Sequence, residues 1–325
     1  MVLLALIGLG YWTLVVGNLL GTTFLTAMVV AKRSHRFAWP RPRKLRAALT
    51  FSSHVLIGRL AWYVQANADF FVAGRVLGQW ALGVYSVGWT LASVPVDKVS
   101  AIASRVTPAF FSAVQTDRAA LRRYLLALTE ALALITLPLA WGLALVTDEV
   151  VLILLGEKWQ AVTGPLRILA VVASLRAIVT LLSQILNATG HSRVSMYKGI
   201  FDAILLSAAF WVGSGQGTVG IAAAWLTIYP LLVLPVYWFV FREIALPPAQ
   251  YLRVIWPALS GALVMAAAVI TLKLLLPGTW ELLLRFLIEV SAGAGVYLAI
   301  LLVWHRERLG MITRRLLELR RQAES

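Results

Sequence analysis

The sequence predicts an all-α protein, a polytopic bundle of about nine transmembrane helices. Three observations predict it. The chain has 325 residues, 60% of them hydrophobic and only 13% charged, whereas a soluble domain is about half apolar and about a quarter charged. Its mean hydropathy is +0.83. The apolar residues are gathered into runs of the length that crosses a hydrocarbon core, about 20 residues. Basic residues collect between those runs.

Nine runs fit, at 3–31, 50–75, 80–104, 121–146, 162–188, 197–214, 217–241, 252–275 and 281–304. Pro95 and Pro138 interrupt two of them, which membrane helices tolerate when neighbours satisfy the freed carbonyls. The connections alternate in charge. Residues 32–46 carry seven Lys/Arg, 117–123 three, 191–198 two, 241–253 two, and the tail after Trp304 six, together 20 of the 29 basic residues. The opposite connections, VLGQW, TDEVVLILLGEKW, GSGQGT and LPGTW, hold one, Lys158. Basic loops stay cytoplasmic, so the N-terminus is expected outside and the C-terminus in the cytoplasm. Residues 148–159 read as a short amphipathic helix at the outer interface, with Trp159 at headgroup depth. The tail repeats Leu/Ile at helical spacing with Arg between, which suits either an anionic inner leaflet or a solvated helix.

Composition also excludes functions. The net charge of +15 follows membrane topology rather than a basic polar domain, so no nucleic acid is expected. There is no cysteine, and the four histidines His35, His54, His191 and His305 show no metal-ligand spacing, so no metal is called for. No GxxxxGK[ST] nucleotide motif occurs, and no cofactor is implied. The first apolar stretch is too long for a cleavable signal and lacks a basic leader.

The stretch DFFVAGRVLGQWALGVYS (69–86) carries Asp69, Gly74, Leu77-Gly78 and Leu82-Gly83-Val84-Tyr85-Ser86. This resembles the central signature of the Wzx-like polysaccharide flippases of the multidrug/oligosaccharidyl-lipid/polysaccharide exporter superfamily. RVTPAFFSAVQTD (105–117), LPLAWGLALVTDEVVLILLGEKWQAVTGPLRILA (137–170), ILNATGHSRVSM (185–196) and GLGYWTLV (8–15) look like further blocks of that family, in its order, over about residues 1–240. Thr13 stands where the family has Ala.

The resemblance implies two pseudo-symmetric lobes around a central cavity. On that alignment, 1–49 is the last helix of the first lobe with a basic linker. Residues 50–241 form the second six-helix lobe, 242–304 two additional helices, and 305–325 a basic cytoplasmic tail. The first five helices of such a fold are then missing, which accounts for a first helix entering from outside. The implied function is translocation of an undecaprenyl-diphosphate-linked oligosaccharide across the bacterial inner membrane for surface polysaccharide, driven by a proton or Na+ gradient. Partners would be the lipid-linked substrate, membrane lipids and a missing N-terminal lobe or other assembly proteins. The rivals are a membrane-embedded polymerase or glycosyltransferase, a small-molecule exporter of the same superfamily, and an incomplete chain inactive alone.

Charge facing lipid is costly, so intramembrane charges are candidates for function. On helix 50–75, Arg59, Tyr63 and Asn67 share one face, and Trp62, Gln65 and Asp69 an adjacent one. This wide polar sector must line a cavity or pack on other helices. Asp69 is either a hydrogen-bond acceptor that locks the helical hairpin or a protonatable coupling site. Arg176 lies mid-span in helix 162–188. With Arg59 it is the candidate contact for a diphosphate, because guanidinium offers a planar bidentate fork. The alternative for Arg176 is an ion pair with Asp69, Glu130 or Asp202. Glu130 and Asp202 are further ion-coupling candidates, each equally able to pair with an arginine. Asp97-Lys98 reads as a local pair after the Pro95 break, and Glu281, Arg285 and Glu289 as a self-satisfied i, i+4, i+8 ladder. Most Trp residues, such as Trp80, Trp159, Trp280 and Trp304, read as interfacial anchors.

Overall fold

The computed structural model describes residue 8 and residues 12–32, 42–115, 117–189, 192–276 and 280–304. No strand occurs among the described residues. The chain divides into two compact units, Met1–Thr50 and Phe51–Ser325. The first contains α1 (Trp12–Lys32), which is exposed along almost its whole length. The helix α2 (Pro42–Val72) begins in the first unit and ends in the second.

In the second unit α2 runs into a π-helical turn, Ala73–Leu77, and then into α3 (Gln79–Ala113). There follow α4 (Arg118–Leu145), the short α5 (Thr147–Leu154), a 3₁₀ segment Glu157–Val162, α6 (Thr163–Ala188), α7 (Ser192–Gly213), α8 (Gly217–Glu243), α9 (Pro248–Leu275) and α10 (Leu282–Trp304). Thus the described parts of all nine expected spans fall on helices, residues 3–7 and 9–11 of the first lying outside the described residues. Six stretches are long and apolar enough to cross a membrane, one of which, Val194–Glu243, takes in both α7 and α8. The helices α2 and α3 fall outside that set because they carry Arg59, Gln65, Asn67, Asp69, Asp97 and Lys98. The protein is a multi-pass membrane protein.

Local chemistry sets the boundaries. The Asp117 carboxylate accepts from the N–H groups of Ala119 and Ala120 and starts α4, as an N-cap should. Pro247 and Pro248 start α9, where a missing N–H costs nothing. Two readings change. The helix α3 continues through Pro95 without a break. The expected single amphipathic helix at 148–159 is divided, because Gly156 takes φ +83° between α5 and the 3₁₀ segment, a conformation that a side chain resists. The tail 305–325, His35, His191 and residues 33–41 of the basic linker lie outside the described residues.

The helix α6 is the hub, packed against α3, α4, α7 and α8. Its Leu166, Leu169, Ala170, Leu181, Leu182 and Ile185 are all buried, as expected of a helix apolar on most sides. The helices α9 and α10 pack on each other, and α9 on α4. At one end of the bundle the α7–α8 turn is built on backbone contact. A Cβ on Gly220 would fall 2.0 Å from the Gly213 carbonyl oxygen, so neither glycine can carry a side chain there. At the same end Trp80 stacks on Trp159 at 5.6 Å. At the opposite end Arg122 donates to the Ala245 carbonyl at 3.2 Å, and Arg118 pairs with Glu243 at 3.6 Å. The basic connections 117–123 and 241–253 therefore meet at one end of the second unit, opposite the α7–α8 turn and the Trp80–Trp159 stack.

Candidate functional site

A cavity of about 240 Å³ opens among α2, α3, α6, α7 and α8. Trp62, Gln65, Asp97, Arg176, Lys198 and Tyr229 give it its character. It is polar although the surrounding helices are apolar, which is the pattern of a site rather than of a packing defect.

Arg176 stands at its wall. The guanidinium carbon lies 4.6 Å from the centre of the Trp89 ring and 5.3 Å from that of Trp225. Arg176 is half-buried, and cation–π contact of this kind is worth about 0.5–2 kcal/mol from exposed to desolvated settings. Trp225 is itself fixed. Its Nε1–H donates to Asp69 at 3.0 Å, the Tyr85 hydroxyl donates to the same carboxylate oxygen at 2.9 Å, and the Phe70 N–H donates to the other at 2.9 Å. Asp69 is 0% exposed. It is held by three neutral donors from three helices, α2, α3 and α8, and through Trp225 it sets the surface on which Arg176 rests. Phe70, Tyr85, Trp89, Phe210 and Tyr229 complete an aromatic packing around it.

Asp202 is also fully buried. Its Oδ2 pairs with Lys198 one turn earlier on α7, and its Oδ1 accepts no hydrogen bond among the described residues. Lys198 lines the cavity with its side chain 21% exposed.

The expected residues therefore separate. Arg176 lines the cavity, and Asp202 stands directly behind its Lys198. Asp69 lies behind its Trp225. Arg59, Tyr63 and Asn67 do not line it: they lie on the exposed face of α2, Tyr63 being 63% exposed, and the Asn67 amide donates to the Tyr63 carbonyl at 2.7 Å. Glu130 lies half-buried on α4 and engages in an interaction of its own. The expected Glu281–Arg285–Glu289 ladder is not self-contained. Glu289, fully buried, is paired at 3.3 Å with Lys273 of α9, which also holds Glu149 of α5 at 2.8 Å, while Arg285 stays 3.9 Å away.

Three residues of the site escaped sequence reasoning. Lys198 is counted with the basic connection 191–198 and also falls at the start of the run 197–214, where its spacing to Asp202 is that of helical neighbours. Trp89 and Trp225 lie mid-helix, away from any interface, and a buried indole needs an acceptor. That requirement was the available signal.

With the geometry in view, the comparisons with known proteins are informative. Residues 1–164 match the family described as "Polysaccharide biosynthesis protein". The chain belongs to this family. It is 26% identical over 268 residues to the teichuronic acid biosynthesis protein TuaB of Bacillus subtilis (strain 168), covering 80% of this chain and 54% of TuaB. It is 26% identical over 329 residues to the succinoglycan biosynthesis transport protein ExoT of Rhizobium meliloti (strain 1021), covering 98% of this chain and 65% of ExoT. The chain spans about half the length of the curated relatives it matches. Its fold is similar to that of the lipid II flippase MurJ in an inward closed conformation, with a TM-score of 0.59 over 87% of this chain and 59% of that one, at 13% identity. A flippase-like helical fold and a polysaccharide biosynthesis family thus agree with the resemblance carried by the 69–86 signature.

Proposed function

We propose that this polypeptide forms one lobe of a flippase that moves an undecaprenyl-diphosphate-linked oligosaccharide across the bacterial inner membrane for surface polysaccharide synthesis. The protein acts as a transporter and performs no covalent chemistry on its cargo. Residues 50–241 make the lobe, 242–304 two appended helices, and 305–325 a cytoplasmic tail. The basic connections face the cytoplasm and the N-terminus lies outside.

One observation carries the reading: a guanidinium resting on two adjoining indoles at the wall of a cavity that also holds polar side chains, inside an apolar bundle. Such a group is costly in a membrane unless it serves a polar ligand or pathway. Its planar fork suits a diphosphate. The exposed face of α2 bearing Arg59, Tyr63 and Asn67 lines the passage between this lobe and a second one, so that cargo meets Arg59 first and Arg176 deeper in. The lipid tail stays in the bilayer. Alternating exposure of the passage then moves the headgroup, and Asp69, Glu130 and Asp202 are the carboxylates available to couple a proton or Na+ to that motion.

The test replaces Arg59 and Arg176 with Ala, singly and together, in the chromosomal gene of the producing bacterium and measures surface polysaccharide. Export should fall by about tenfold or more for Arg176→Ala, the loss of one charge-assisted contact, with lipid-linked intermediates accumulating inside. Unchanged export with both replaced ends the diphosphate role.

A further inference from the structure

The cavity is lined by two cations whose situations differ. Arg176 is seated on Trp89 and Trp225. Lys198 has a flexible four-carbon stem and a charge already claimed by the fully buried Asp202. Among the described residues Asp202 depends on that one ammonium, since its second oxygen accepts no hydrogen bond from them. From the geometry we infer that Lys198 is a shared cation: an anion entering the cavity draws its ammonium off Asp202, and Asp202 then takes up a proton.

This rests on the proposed reading of the cavity as an anion site and deepens it. An ammonium can turn toward a phosphate by rotating its stem, whereas the guanidinium held by two rings has less freedom. A carboxylate left alone in a low-dielectric interior costs several kcal/mol and neutralises instead. The proton is supplied by the buffer acid in bulk solvent, whose conjugate base stays in solution, and ends on a carboxyl oxygen of Asp202. No bond to carbon or phosphorus changes.

The surrounding groups favour this outcome. Tyr229, from α8, is neutral, and Gln65, from α2, carries no charge. Asp97, from α3, lines the same cavity and has the sign that favours a neutral Asp202. Asp69 lies behind Trp225 with its donors satisfied. Arg176, from α6, is the remaining cation lining the cavity, and the incoming anion engages it. Arg59 is on the exposed face of α2. By linkage the effect is reciprocal: protonating Asp202 frees Lys198 and strengthens anion binding.

The experiment uses the full chain in lipid nanodiscs with inorganic pyrophosphate as probe. Calorimetric titration at neutral pH in buffers of different ionisation enthalpy counts the protons exchanged. The wild type should take up about one proton more per pyrophosphate than Asp202→Asn. Lys198→Met should bind about tenfold more weakly and show no extra proton. Infrared difference spectra of the wild type alone should gain the carbonyl stretch of a protonated carboxylic acid when pyrophosphate is added, so the idea stays testable if a variant does not fold. Pyrophosphate binding with equal proton counts and no such band overturns the inference while leaving the anion site standing. No pyrophosphate binding at all removes both.

Discussion

Asp69 and Glu289 are equally buried and are satisfied in opposite ways. Asp69 is held by an indole N–H, a phenol O–H and a backbone N–H, all neutral. Glu289 is held by charge, through Lys273, which simultaneously grips Glu149. Neutral donors act by direction. They fix the orientation of the rings that carry them, and so the seat of Arg176. The ammonium acts by charge and ties α5, α9 and α10 together with little demand on angle. One centre defines a geometry; the other fastens three helices.

The largest expected effect breaks the first centre. Asp69→Ala strands the Trp225 and Tyr85 donors in the interior and should cost about 4 kcal/mol, at about 1–3 kcal/mol for each group left unpaired. Reversible unfolding in detergent measures it. Asp69→Asn keeps an acceptor and should cost less than half as much. The second centre should break almost as hard: Lys273→Met takes from Glu149 its ammonium and leaves Glu289 with Arg285 alone, 3.9 Å away, at about 3 kcal/mol. Here a second change sharpens the contrast. Adding Glu289→Gln should recover part of that loss, because the bond is one of charge, whereas no neutralisation at another site should rescue Asp69→Ala. Trp225→Phe keeps the ring under Arg176 but removes the Nε1 donor. It should cost about 1 kcal/mol and, more tellingly, weaken pyrophosphate binding without abolishing it. The smallest effect belongs to the exposed pair Arg167–Asp148, with side chains 52% and 50% exposed. Asp148→Ala should change stability by no more than about 0.5 kcal/mol, and a larger loss would show that exposed charge at this end also fastens helices.

The helices were legible in the sequence because a membrane demands long apolar runs and leaves few other arrangements. The alternation of basic and non-basic connections was legible for the same reason. The site was legible only in its charges. Arg176 and Asp202 stood out as ionised groups in apolar runs, but what they touch is set by contacts far apart in the chain. Asp69 meets Trp225 across 156 positions, and Glu149 meets Lys273 across 124. No local pattern encodes such pairs. Lys198 stands where the expected connection 191–198 and the expected run 197–214 overlap; the helix begins earlier, at Ser192, which puts it in the second turn of α7 with Asp202 one turn on. Arg59, Tyr63 and Asn67 were correctly grouped on one face of α2, yet periodicity alone does not say which neighbour that face meets.

The Gly213–Gly220 contact has a mechanical consequence. Because the two main chains touch there, the α7–α8 hairpin has no spare room at its tip. One helix carries Lys198 and Asp202, the other Trp225 and Tyr229. The register between the helix that holds the ammonium and the helix that holds the indole beneath Arg176 is therefore set at a point where any side chain larger than hydrogen would force the two backbones apart.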